Sequence, residues 1–248
     1  MRVLGIESAT PAQGVALVED DRLVVELSYL LAEGTRGGRL LPTLDNVLRK
    51  AGVAPKDLGG VAVSVGPGSF TGLRVGLATA KGLALGTGVS LVGVSTLEVL
   101  AEGYSAPAVT ICALLDAFRG EVYAAFFRRC GGGLERLSAD AVLAPEAVAA
   151  TVEGAVHLIG NGAVRYRQRL EAVFGVRAVF TEEGLHAVPS AVVVARLGMR
   201  RLAGSKGKGM TPDQRTSADV APVYLRRAEA EVNWEHGLVK SPLAKLTG

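Results

Sequence analysis

The chain is poor in the residues that mark several functional classes. It holds two cysteines, three histidines and one tryptophan in 248 residues. Cys112 and Cys130 do not form a CxxC pair, so a disulfide framework is not expected and a reducing compartment fits. Cys112 lies in an apolar run and reads as a small core residue. His157, His186 and His236 fall in three separate contexts, and no two have the spacing of metal ligands on one helix; no metal site is expected. A net charge of +3 is too small to identify a nucleic-acid binder. No apolar run of membrane-span length is unbroken. "VGLATAKGLALGTGVSLVGV" comes nearest, but Lys81 sits in its middle and "GTG" interrupts it, which predicts helix, turn and strand in a soluble core. The opening "MRVLGIESAT" meets Glu7 before a signal-peptide core develops, so the expected location is cytoplasmic, with no membrane partner.

Apolar residues make up 49% of the chain, aromatics only 5%, and there are 32 glycines. That composition suits an α/β protein with tight turns and closely packed helices. The length allows one large domain or two small ones. Basic residues gather between Arg196 and Arg227: Arg196, Arg200, Arg201, Lys206, Lys208, Arg215, Arg226 and Arg227 stand against Asp213 and Asp219. This stretch reads either as a solvated helix end and loop or as a surface that meets phosphates.

The periodicities repeat one plan twice. "RVLGIES", "GVALVED" and "RLVVELSYL" read as three strands joined by tight turns. "RLLPTLDNVLRKAG" has helical spacing and stops at Gly52; "GVAVSVG" is a strand, Gly72 to Gly86 a helix and "VSLVGV" a strand. "STLEVLAEG" opens a helix with Ser95 and Glu98 in capping-box spacing. Beyond Pro107 come strands at "VTICALLD", "GEVYAAFFRR" and, more weakly, "LERLSAD". A short helix at "PEAVAATVEG", a strand at "VHLIG", a helix at "NGAVRYRQRLEAVFG", a strand at "RAVF" and a helix at "PSAVVVARLGMRRLAG" follow. A duplicated βββαβαβα unit predicts the two-lobed actin-like ATPase / ribonuclease H-like (ASKHA) fold. The expected lobes are 1–105 and 106–203. Residues 204–248 read as a polar loop, a strand-like "VYLR" and a tail.

The stretch "VGPGSFTGLRVG" invites a phosphate-loop reading, because glycines ahead of a helix let an anion approach the backbone. It has neither the Lys-Ser/Thr pair of a Walker loop nor GxGxxG spacing. Ser69 and Thr71 are explained as helix caps. Ser69 also lacks the G-x-S-x-G setting of a nucleophile. Inside the helix, Gly72, Gly76, Ala80 and Ala84 fall four apart on one face, and Thr79, Gly82 and Gly86 add further small residues. Each internal glycine costs about 1 kcal/mol relative to alanine, so another backbone is expected close by. It belongs either to the protein's own sheet or to another subunit. Leu73, Val75, Leu77, Leu83 and Leu85 make the helix apolar almost all round.

"VGPGSFTGLRVGLATAKGLALG" followed by "LVGVSTLEVLA" resembles the signature of the bacterial TsaB family, also called YeaZ. "VLGIESAT", "VALVED", "RLLPTLDNVLRKAG", "LLDAFRGEVYAAFF" and "APVYLRR" match its other landmarks in order, over nearly the whole chain. The resemblance implies a minimal version of the duplicated fold. It also implies a non-catalytic paralogue that pairs with the threonylcarbamoyltransferase TsaD. With TsaE and the threonylcarbamoyl-AMP synthase TsaC, these proteins place threonylcarbamoyl on the adenosine beside the tRNA anticodon. Family members pair with TsaD, and with themselves when alone, through the first two helices. That carries an interface role to Leu40, Leu41, Leu44 and Leu48 on the first helix. On the second it falls to Gly72, Leu73, Gly76, Leu77, Ala80 and Ala84. TsaE and tRNA would meet the complex, and no cofactor is implied. The family often has a histidine just before "LLP", where this chain has Arg36.

The rival reading is an ASKHA-type phosphotransferase acting on a small molecule. Glu7, Ser8 and Thr10 partly imitate that superfamily's first phosphate turn, and Asp116 ends the matching strand of the second half. Position 9 is alanine rather than glycine, however, and the second turn offers Phe118 and Arg119 in place of hydroxyls. Turn chemistry alone accounts for Ser8 and Thr10. "GNGA" at 160–163 reads either as a nucleotide approach or as a strand-to-helix turn capped by Asn161. Kinases of this fold usually carry insertions for which the chain has no room.

Overall fold

The computed structural model describes residues 1–31, 39–106, 109–131, 133–181, 188–206 and 219–225. The first sheet contains β1 (Arg2–Glu7), β2 (Ala12–Glu19), β3 (Arg22–Leu30), β4 (Gly60–Gly66) and β5 (Leu91–Ser95), in the order β3-β2-β1-β4-β5. β1 runs antiparallel to β2, pairing Leu4 with Leu17, and parallel to β4, pairing Leu4 with Val61. The β2–β3 hairpin turns through Asp20 and Asp21, both at positive φ (48° and 67°), which short acidic side chains tolerate. The helices of this half are α1 (Leu40–Ala51), α2 (Phe70–Thr87) and α3 (Thr96–Gly103).

The second sheet holds β6 (Thr110–Asp116), β7 (Val122–Cys130), β8 (Gly133–Arg136), β9 (Ala141–Leu143), β10 (Val156–Ile159) and β11 (Ala178–Phe180). Its order is β11-β10-β6-β7-β8, with β9 paired to β7. Read from the first strand of each half outward, the two sheets have the same topology, which is the expected actin-like duplication. The helices here are α4 (Pro145–Val148), α5 (Asn161–Arg165), α6 (Arg167–Phe174) and α7 (Ala191–Lys206). The third strand of this half is split. β8 leaves β7 at Leu137, Ser138 uses its hydroxyl to accept the Phe126 N–H, and the chain returns as β9 further along β7. The helix expected over 161–175 is broken at Tyr166, where ψ swings to 23° and the phenol reaches inward to Asp116.

Strand alternation sends β1 side chains to two different helix layers. Leu4 and Ile6 meet α1 and α2 through Leu40, Leu44, Val47, Leu48, Leu77, Ala80 and Ala84. Val3 faces α7, whose Val194, Ala195 and Leu197 complete the other side. Gly5 lies so close beneath α7 that a Cβ there would come within 2.6 Å of the Ala195 nitrogen. α7 comes from the second half of the sequence but covers the first sheet. α3 does the reverse, packing Leu97, Leu100 and Ala101 against Ile111, Leu115 and Phe127. Arg201 and Arg200 of α7 pair with Glu98 and Glu102 of α3, which ties the exchanged helices together, and Arg129 of β7 also meets Glu102 at 3.4 Å. No helix among the described residues is long and apolar enough to cross a membrane.

Candidate functional site: the glycine-rich loop and its helix

α2 starts at the end of β4, where the glycine-rich loop folds onto the β1–β2 turn. The Ser69 N–H donates to the Ala9 carbonyl at 2.7 Å. The Ser69 hydroxyl caps the helix by accepting the Gly72 N–H at 3.2 Å, as its position predicts. A Cβ on Gly72 would fall onto the Ser8 carbonyl oxygen, and one on Gly76 onto the Ser8 hydroxyl. The Ser8 hydroxyl in turn donates to the Gly72 carbonyl at 2.9 Å. The first two glycines of the helix are therefore required by the protein's own turn.

The turn itself is sealed. Glu7 is fully buried; its carboxylate accepts the Ala9 N–H at 2.7 Å and the Ser64 hydroxyl. Burial pushes the Glu7 carboxyl from 4.5 up to about 7, against the lowering effect of those hydrogen bonds. Ser8 is buried and committed to Gly72, and the Thr10 hydroxyl donates to the Ala12 carbonyl at 3.1 Å. Where a phosphate turn would hold open donors towards an anion, Glu7, Ser8 and Thr10 are spent on the chain's own backbone and on Ser64.

The matching turn of the second half is open. Phe118 and Arg119 both have positive φ (60° and 53°), an unfavourable conformation for bulky residues, and Phe118 is 64% exposed. Asp116 accepts the Phe118 N–H and the Tyr166 hydroxyl, each at 2.9 Å, and pairs with Arg165 at 3.4 Å. Asn161 does not cap the following helix; its side-chain oxygen accepts the Asp116 N–H at 3.0 Å. Gly160 and Gly162 press on the backbone of Leu114 and Leu115, so "GNGA" is a packing turn.

The expected interface residues divide unevenly. On α1, Leu40, Leu44 and Leu48 are buried in the core and Leu41 is 64% exposed. On α2, Gly72, Leu73, Gly76, Leu77, Ala80 and Ala84 all face the interior of this chain. This settles where the expected stripe points: it is the inner face of the helix, fitted to Ser8 and Val63 of its own sheet. The outward row is Arg74, Ala78, Gly82, Leu85 and Gly86, with Leu85 82% exposed. A Cβ at Gly82 or Gly86 would meet nothing within 4 Å among the described residues. Periodicity missed this row because small or apolar residues occupy every side of α2. The signal was Ala78, Gly82 and Gly86, a second four-residue series two positions out of phase with the first.

The other candidates have structural placements. His157 lies in β10 with Nδ1 2.7 Å from the Tyr104 hydroxyl, and burial lowers its pKa. His186 and His236 lie outside the described residues, as does Arg36. Among the described residues no group of three or more His, Cys, Asp or Glu is placed to hold a metal ion. Cys112 is buried, which pushes its thiol far up, and Cys130 is exposed. In the basic stretch, Arg196 pairs with Asp21 at 3.5 Å, Arg200 with Glu102 and Arg201 with Glu98. These three arginines are engaged within the chain. The Lys206 side chain, Lys208, Arg215, Arg226 and Arg227 lie outside the described residues. Residues 219–225 form no sheet strand. They make an extended strap, tied to β4 by the Val223 N–H donating to the Val65 carbonyl at 2.7 Å.

Comparison with known proteins agrees with the landmarks. A family model described as "TsaD: tRNA N6-adenosine threonylcarbamoyltransferase" matches residues 37–234. The tRNA threonylcarbamoyladenosine biosynthesis protein TsaB of Bacillus subtilis (strain 168) is 30% identical over 238 residues, 94% of this chain and 98% of the relative. The TsaB of Escherichia coli (strain K12) is 39% identical over 151 residues, 60% of this chain and 64% of that protein. YeaZ from Pseudomonas aeruginosa superposes with a TM-score of 0.73 at 28% identity, covering 90% of this chain and 99% of that one. A 30% identical match over nearly the full length of a curated member, the same fold in a solved one and the glycine-rich signature at the base of α2 together place the chain in the TsaB (YeaZ) family.

Proposed function

We propose that this chain is a non-catalytic subunit in the biosynthesis of threonylcarbamoyladenosine next to the tRNA anticodon. In this reading it docks a TsaD-type transferase through the outward sides of α1 and α2. One observation carries the reading. Gly82, inside an 18-residue helix, costs about 1 kcal/mol of helix stability and has no neighbour among the described residues that needs the space. Ala78 precedes it by one turn and the exposed Leu85 follows. That face suits another backbone at close range, with Leu41 and Leu85 as apolar anchors. The family names support the pathway, and because the first stripe points inward this reading puts the interface on the outward row of α2.

The non-catalytic part of the reading is supported by the sealed Glu7–Ser8–Thr10 turn, which offers no open cradle to a magnesium–phosphate group. A phosphotransferase needs that turn open. Titration calorimetry of the purified chain with magnesium–ATP should show no binding; micromolar affinity lost in Glu7→Ala would restore the kinase alternative. The docking reading is tested by pull-down with the cognate TsaD-type subunit and by the tRNA modification assay with and without this chain. Ala78→Trp and Leu85→Glu should abolish capture and activity together while leaving the fold intact. Full capture by both variants would remove α2 from the interface. TsaE and tRNA are expected to engage the pair, and the same face would form a homodimer when the partner is absent.

A further inference from the structure

We infer that Arg74 is the polar anchor of the α2 docking face, held ready for a carboxylate on the partner protein; the inference rests on the docking reading above. Arg74 lies on the outward row of α2, one turn before Ala78. Its guanidinium sits over the Phe70 ring, 3.8 Å from the centroid, and its Nε donates to the Tyr224 hydroxyl at 3.0 Å. The Phe70 and Tyr224 rings pack with centroids 4.9 Å apart. Tyr224 is delivered by the strap 219–225, which is fixed at Val223 by the bond to Val65 and at Leu225 by packing against the core of the second lobe.

An exposed arginine normally spreads over many rotamers, and binding must freeze it. Here stacking fixes the plane of the guanidinium and the Nε bond fixes its rotation. The terminal Nη pair takes no further acceptor among the described residues. A fork held this way offers two parallel N–H groups to one acid, with its ordering cost already met by folding. The surroundings favour a protein carboxylate over an RNA phosphate. The rest of the exposed row is Ala78, Gly82, Leu85 and Gly86, suited to a close helix contact, whereas a nucleic-acid backbone is held by several cations together. Residues 219–225 thereby link the second half of the chain to the partner-facing helix of the first.

The test measures affinity for the cognate TsaD-type subunit at low and moderate salt, with the melting temperature of each isolated variant. Arg74→Gln should weaken binding about ten- to a hundredfold, flatten its salt dependence and leave the melting temperature nearly unchanged. Arg74→Lys should fail to restore affinity, because an ammonium keeps the charge but loses the fork and the stacking. Tyr224→Phe should fall between the parent and Arg74→Gln. Normal affinity in Arg74→Gln beside lost binding in Ala78→Trp would overturn the anchor and keep the docking face. Normal affinity in both would overturn the docking face itself. A lowered melting temperature with unchanged affinity would reduce Arg74 to a tether for the strap. Loss of tRNA binding by an otherwise normal complex would reassign the anion to RNA. Rescue by Arg74→Lys would overturn the requirement for a fork.

Discussion

The two ends of α2 put the same residue type to opposite uses. At its N-terminal end, Gly72 and Gly76 admit the Ser8 turn of the same chain, and both are buried. Towards its C-terminal end, Gly82 and Gly86 have no atom of the described residues within 4 Å of an added Cβ. A glycine inside a helix always costs stability, so its presence asks what is being accommodated. At the first end the answer is intramolecular. At the second no described residue supplies one, and the proposed docking partner would. A small-residue row is thus not evidence of an interface until each position has been tested for a neighbour in its own fold.

The sharpest way to break the comparison is to add a methyl group at each end. Gly72→Ala should be the most damaging, because the new Cβ meets the backbone carbonyl of Ser8, which cannot rotate away. The loss should reach or exceed the upper end of the ~1–3 kcal/mol usual for overpacking. That corresponds to a melting temperature lower by roughly 6–12 °C for a chain of this size. Gly76→Ala should cost less, about 1–2 kcal/mol, because the Ser8 hydroxyl can swing aside by giving up its bond to Gly72. Gly76→Leu should damage the fold itself, in contrast to what an outward-facing stripe would predict. Circular-dichroism melts measure all three, and an unchanged melting temperature in Gly72→Ala would refute the close approach.

Glu7 extends the comparison to pH. Its carboxyl titrates near 4.5 when exposed and at about 7 in the fold. Between those values the folded chain holds a proton that the unfolded chain has released. Stability is therefore highest below 4.5, falls as pH rises through the window, and has lost roughly 3 kcal/mol once Glu7 ionises. Glu7→Gln keeps a donor and an acceptor for Ser64 and Ala9 without the charge. Urea unfolding between pH 5 and 8 should show a shallower decline in the variant than in the parent. Parallel profiles would mean that Glu7 stays ionised throughout.

Much of the architecture was legible in the sequence because it is written locally. Alternating apolar runs marked β1 and β2, Gly52 closed α1 in a left-handed cap, and Ser69 and Ser95 capped the helices they precede. The capping box at Ser95 is only half formed, since the Glu98 side chain goes to Arg201. What escaped depends on distant partners. The exchange of α3 and α7 between sheets cannot be read from helices that are apolar on more than one side. The split third strand and the break at Tyr166 answer to Ser138 and Asp116, which lie far away along the chain. The loop and helix were legible as a region, but the direction each helical residue faces was not: of the residues expected at a partner, all but Leu41 are buried in this chain. Arg74 and Tyr224 meet only because the strap folds back.

Gly82→Ala gives the smallest effect and the finest discrimination. No atom of the described residues stands within 4 Å of the added methyl, so the isolated chain should gain about 0.8–1.0 kcal/mol from helix propensity alone, a rise of roughly 2–4 °C in melting temperature. The same methyl would stand between α2 and any backbone docked against it, so affinity for the TsaD-type subunit should fall as stability rises. Those opposite signs separate the two ends of the helix: Gly72→Ala should unfold the chain, whereas Gly82→Ala should strengthen the fold and weaken the complex. A Gly82→Ala chain that is more stable and binds its partner as well as the parent would leave the second pair of glycines without a purpose.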